Sequence, residues 1–137
     1  MKTLKLLVLV VVSISLYMSC SSQNNANQKD QATISDKELS VYYFHFERRC
    51  VTCKAVESVT KEALAEMYDG TVPFISVNLD DEEGKEIAGK IGVSSQSLLI
   101  VKGDERFDLT AEAFMSAGSN PDELKKILKE KIDPLVR

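Results

Sequence analysis

The run LSVYYFHF, Leu39 to Phe46, passes straight into a helical repeat. That junction constrains the fold more than any other stretch of the chain. The run is rich in aromatic and β-branched residues and reads as a buried strand. Residues 50 to about 68 then read as a helix, because Val56, Val59, Ala63 and Met67 recur at helical spacing. Glu57 and Lys61 stand four apart in the favourable order, acid first. Asp69-Gly70 ends the helix. A strand feeding directly into a helix is the first half of a βαβ unit, and the rest of the chain continues it.

TVPFISVNL, 71 to 79, reads as a second strand, with Pro73 near its start where a missing N–H is tolerated. DDEEGKEIAGKIG, 80 to 92, reads as a short helix with acids in its first turn, Ile87 and Ile91 on one face and Gly92 as its stop. SLLIV, 97 to 101, and RFDL, 106 to 109, form a hairpin around the turn KGDE. TAEAFMSAG is a short helix or turn. Asn120-Pro121 opens the last helix, whose stripe is Leu124, Ile127, Leu128 and Ile132. The order βα, βα, ββ, α predicts an α/β domain: a small mixed sheet of about four strands with helices on both faces. From Glu38 onward there are about 100 residues, an ordinary size for one core. The chain holds no internal repeat.

Cys50-Val51-Thr52-Cys53 falls where the first strand meets the first helix. Unpaired N–H groups and the helix dipole place partial positive charge there. A thiolate at such a site is stabilised, with its pKa lowered from about 8.5 into the range of about 3.5–7.5. Arg48, Arg49 and Lys54 add positive charge nearby. Residues three apart share a helix face, so the two sulfurs can meet. Cys53 continues the buried stripe, three residues before Val56, whereas Cys50 sits at the helix mouth. Unequal roles follow: Cys50 is the exposed attacking thiolate, and Cys53 is the shielded resolving thiol. Two other readings of the pair stand beside this one. A structural bridge closing so few residues would remove little chain entropy. A metal site would draw on His45, the only histidine, together with Cys50 and Cys53.

From about 38 to 132 the chain resembles the thioredoxin-fold family. Cys50-Val51-Thr52-Cys53-Lys54 is similar to the family's CxxC followed by lysine. VPFISVNLDDEEGKEIAGKIGVSSQSLLIVKGDE resembles the family's second half. The resemblance implies thiol–disulfide exchange, with Cys50 as nucleophile, Cys53 as resolving cysteine and no cofactor. Three positions depart from the family. Arg49 stands where a tryptophan precedes the first cysteine. Phe44 is the nearest equivalent of a buried Asp in the first strand, which leaves Cys53 without its usual proton acceptor. No proline occurs between Pro73 and Pro121, so Gln96 or Ser97 takes the place of a cis-proline facing the disulfide. Arg49, Gln96 and Ser97 are therefore the expected substrate-binding positions.

The N-terminus points to export. MKTLKLLVLVVVSISLYMSC has Lys2 and Lys5 ahead of 13 mostly apolar residues, Leu6 to Met18. That is short of the roughly 20 needed to span a bilayer, and it fits a secretory signal. Ending in Ser19-Cys20, it resembles a bacterial lipoprotein signal. Residues 1–19 are the expected signal peptide, Cys20 the lipidated first mature residue, 20–37 a polar tether and 38–137 the domain. The 17 residues after Cys20 give a reach of roughly 20–25 Å. If Cys20 carries lipid, two of the chain's three cysteines remain, in an oxidising compartment where a disulfide persists. Without the two leader lysines the basic count falls from 17 to 15 against 21 acidic residues, a net charge of −6. That argues against nucleic acid as a partner, since binding it needs clustered positive charge. The expected whole is a monomeric, lipid-anchored oxidoreductase of the bacterial cell envelope. It would face the periplasm and act on protein thiols or disulfides with a redox partner to recharge it. The alternatives are a thioredoxin-fold copper carrier and a non-catalytic binding module.

Overall fold

The computed structural model describes residues 38–136. The expected signal peptide, the tether and Cys20 lie outside the described residues. The elements follow the expected order: β1 Ser40–His45, α1 Val51–Tyr68, β2 Phe74–Asn78, α2 Glu82–Ile91, β3 Ser97–Lys102, β4 Glu105–Asp108, α3 Thr110–Ser116 and α4 Pro121–Val136. The sheet order is β2-β1-β3-β4. β1 pairs parallel with β2 and antiparallel with β3, and β4 closes the hairpin.

β1 is central, and all six of its residues are buried. This explains a strand sequence without polar alternation, since both faces are covered. Val41 and Tyr43 pack under α1, α3 and α4, with Val56, Leu64, Leu98, Leu124, Leu128 and Ile132 in the same cluster. Tyr42 and Phe44 point to the opposite layer, where Val77, Leu79 and Leu99 meet Ile87 and Ala88 of α2. Helices thus cover both faces of a four-stranded mixed sheet, three on one side and α2 on the other.

The ends of α1 and α2 are set as their sequences suggest. Asp69 closes α1 in the left-handed region at φ 46, and Gly92 closes α2 at φ 77. Gly84, in the first turn of α2, lies against the backbone of Asn78, so close that a Cβ there would overlap the Asn78 carbonyl. α4 runs past its apolar stripe and through Pro134 to Val136. Leu135 packs against the core there, and Lys102 Nζ donates to its carbonyl. The far half of α1 is tied to α4. Lys125 Nζ lies 2.5 Å from Glu62 Oε1 and 3.0 Å from Glu66 Oε2, and the Tyr68 hydroxyl donates to Asp133 Oδ1 at 2.9 Å. No helix among the described residues is long and apolar enough to cross a membrane.

Candidate functional site

The chain leaves β1 at His45, makes a short exposed link and enters α1 at Cys50, which is its N-cap. The cap is made by sulfur: the Cys53 N–H donates to Cys50 Sγ at 3.2 Å. A cap satisfies one of the free N–H groups of a first turn, and here the acceptor is a cysteine sulfur. The Cα atoms of Cys50 and Cys53 are 5.1 Å apart and the pair is disulfide-bonded. Cys50 is exposed, whereas Cys53 is only 3 % exposed. Val51, beside Cys50, is 86 % exposed.

Two contacts from other elements reach Cys53. The Tyr43 hydroxyl, in β1, donates to the Cys53 carbonyl at 2.9 Å. Burial raises the pKa of Tyr43, with Arg49 pulling the other way, so the phenol remains a donor. From the loop before β3, Gln96 Nε2 donates to Cys53 Sγ at 3.6 Å. Gln96 is therefore the residue that faces the disulfide at the position the sequence left open between it and Ser97. Ser97 is buried, pairs with Phe44 across the sheet and donates its hydroxyl to the Ser95 carbonyl at 2.9 Å. No cis peptide occurs among the described residues.

Arg49 is held away from solvent on two sides. Its Nη1 pairs with Glu57 Oε2, and Glu57 also takes Lys61 Nζ at 2.7 Å, the expected intrahelical pair. Its Nε lies 3.1 Å from His45 Nδ1, and its Nη2 lies 2.5 Å from His45 Nε2. The same ring reaches the Phe46 carbonyl at 3.0 Å through Nδ1 and Ser76 Oγ at 2.9 Å through Nε2. Arg48 and Lys54 are exposed. Of the three cations around the pair, Arg49 alone is built into the frame.

His45 is 5 % exposed. Burial pushes its pKa below the usual 6.5, and Arg49 adds to this. The Phe46 carbonyl and the acids Asp80 and Asp81 oppose it. The sign follows from linkage. The unfolded histidine binds its proton more readily than the folded one, so stability is full above about pH 6.5 and is lost as pH falls through the folded pKa. The wild-type melting temperature is therefore expected to drop between pH 7.5 and 5 by more than that of His45→Gln. Equal pH slopes in a pair of melting series would remove His45 as the cause.

Sequence reasoning did not single out Tyr43 or Asp80. Asp80 Oδ2 accepts the Glu47 N–H at 2.7 Å and ties the link before Cys50 to the loop after β2. Two-residue alternation from Val41 does place Tyr43 and His45 on one face, and that signal was available. The position compared with a buried Asp, Phe44, belongs to the layer under α2. The buried polar groups of β1 on the α1 side are Tyr43 and His45. No group of three or more His, Cys, Asp or Glu side chains placed to hold a metal ion occurs among the described residues.

No family model matches the chain, and no curated protein matches it. Solved structures do. The oxidised thioredoxin O2 of Arabidopsis thaliana aligns at 24 % identity, over 69 % of this chain and 75 % of that one, with a TM-score of 0.51. Thioredoxin f2 of Chlamydomonas reinhardtii aligns at 18 % identity over 69 % and 80 %, with a TM-score of 0.48. The Fasciola hepatica thioredoxin aligns at 25 % identity over 69 % and 83 %, with a TM-score of 0.44. With the strand order, the helix-capping cysteine and the first of these alignments together, the chain has a thioredoxin-like fold.

Proposed function

We propose that this chain is a thiol–disulfide oxidoreductase of the bacterial cell envelope, anchored by lipid on Cys20 and acting on exported proteins. The observation that carries the reading is the unequal cysteine pair: Cys50 Sγ caps α1 in the open while Cys53 is shielded behind it. An N–H donor and the helix N-terminus favour the thiolate over the thiol at Cys50.

The exchange runs in two steps. The Cys50 thiolate attacks one sulfur of a substrate disulfide, and a Cys50–substrate bond forms as the other substrate sulfur leaves as a thiolate. Cys53 loses its proton to water and attacks Cys50 Sγ. The Cys50–Cys53 bond forms, the substrate leaves fully reduced, and two electrons have passed to it. A dithiol partner restores the pair by the reverse sequence. Run backwards on a substrate dithiol, the same steps oxidise it. Val51, next to Cys50 in the chain, is exposed, and Gln96 reaches Cys53 Sγ. The monomer reading is supported by β4, a four-residue edge strand of sequence ERFD whose charges discourage pairing with a second copy.

A redox titration of the domain lacking residues 1–20 tests this, with the cysteine state read by alkylation and mass. A midpoint between roughly −120 and −270 mV is expected, the range of exchange catalysts, and its position within the range gives the direction of electron flow. A midpoint below about −300 mV marks a structural bridge and turns the chain into a binding module.

A further inference from the structure

We infer that Gln96 is a catalytic residue of the exchange step, donating its side-chain amide N–H to Cys53 Sγ while that sulfur carries the negative charge. The inference rests on the exchange reading above and deepens it.

Accessibility decides which sulfur is attacked. Cys50 is exposed and Cys53 is 3 % exposed, so an incoming thiolate reaches Cys50 Sγ. A bond forms between the incoming sulfur and Cys50, the Cys50–Cys53 bond breaks, and its electron pair departs on Cys53 Sγ, which later takes a proton from water. Exchange is faster when the leaving thiol has a lower pKa. Burial works against that at Cys53, because desolvation disfavours the charged form. Cys50 has a donor to offset its charge, the Cys53 N–H. Cys53 needs one of its own.

Gln96 is placed to be that donor. Its Nε2 lies 3.6 Å from Cys53 Sγ, brought from 43 residues away by the turn into β3. A sulfide or thiolate only accepts, so the amide presents its N–H rather than its oxygen. The backbone beside it is fixed: Ser97 pairs with Phe44, and the Ser97 hydroxyl holds the Ser95 carbonyl. An amide is neutral at every working pH, so the donor never switches off. The return step, in which the Cys53 thiolate attacks the mixed disulfide, passes through the same transition state. Cys53 rests as a bonded sulfur before opening and as a protonated thiol after it. The charge that Gln96 meets exists only between the two, so Gln96 speeds opening and closing together and moves the equilibrium much less.

The test uses the full chain in detergent, with dithiothreitol as the attacking thiol and quench alkylation to time opening and closing. Gln96→Ala and Gln96→Leu are each expected to slow both directions about tenfold, in line with loss of one hydrogen bond to a charged group. The equilibrium constant against dithiothreitol is expected to stay within about threefold, which is about 15 mV on the scale where tenfold is about 30 mV. Near-isosteric Gln96→Glu serves if a truncation unfolds. Its carboxylate offers no donor at pH 8, so it is expected to slow opening at least as much. Rates within twofold of wild type overturn the inference. So does a tenfold fall in the equilibrium constant with closing unchanged, which would make Gln96 a ground-state support only. These rates are read whether or not the midpoint proves fit for exchange with cellular thiols, so failure of the proposed function and failure of this inference are separable.

Discussion

A chain carrying Cys53→Ser is expected to capture its substrate and fail to release it. The Cys50 sulfur and its cap remain, because the group that donates to Cys50 Sγ is the backbone N–H of residue 53, which serine keeps. What goes is the thiol proposed to resolve the adduct. The Cys50–substrate disulfide then waits for an outside thiol and is expected to last on the order of minutes to hours. Non-reducing separation and mass should show a stoichiometric adduct with a protein disulfide. Cys50→Ser is expected to form no adduct and to lose turnover altogether, since Cys53 is shielded from any partner. Adducts that form through Cys53 instead would reverse the roles. Unchanged function in Cys50→Ser would leave a binding domain with an idle bridge.

Gly84→Ala is expected to be the most damaging single methyl in the described residues. A Cβ at that position would overlap the Asn78 carbonyl oxygen and come within 2.7 Å of its carbon. Backbone atoms cannot swing away as a flexible side chain can. The first turn of α2 or the end of β2 must move, and overpacking of this kind costs about 2–3 kcal/mol. For a domain of this size that is a fall in melting temperature of roughly 10–20 °C. Damage spreads toward the cysteines, because Asn78 Oδ1 accepts the Asp80 N–H and Asp80 in turn holds the Glu47 N–H. Gly89→Ala is the control: it is an exposed helical position where a Cβ meets nothing within 4 Å. It is expected to gain about 0.5–1 kcal/mol. Denaturant midpoints read both effects, and a Gly84→Ala midpoint equal to wild type would mean that the close approach to Asn78 is not there.

The fold was legible where local pattern carries it. The helical spacing of Val56, Val59 and Ala63, the stops at Asp69 and Gly92 and the hairpin around KGDE are short-range signals, and each lies where it was read. The placement of Cys50 at the mouth of α1 and of Cys53 in its buried stripe was legible for the same reason. The surroundings of the pair were not. β1 is buried on both faces, so its sequence has no polar alternation to show which way Phe44 points. Which of Gln96 and Ser97 faces the sulfur depends on the pairing of β3 with β1, a register between segments more than 50 residues apart. A one-residue slip exchanges the two faces of a strand. The grip of His45 and Glu57 on Arg49 spans the link from β1 to α1, where neither strand nor helix periodicity runs through to show it. Arg49 reads in sequence as a free cation beside a thiolate, yet the fold has already given it two partners.

The contacts between α1 and α4 bear on what redox cycling asks of the protein. The surface pairs at Lys125 add little stability by themselves. Along the same helix, however, Val56, Thr60, Ala63 and Leu64 are buried, and Tyr68 is fastened to Asp133. The disulfide lies at the first turn, ahead of this seam, which begins at Val56. In the exchange proposed above, two sulfurs would part and rejoin at one end of a helix that is buried and fastened along the rest of its length. A polypeptide docking on it in the proposed exchange would meet a helix mouth set by the core, and adaptation during the encounter would fall to that polypeptide.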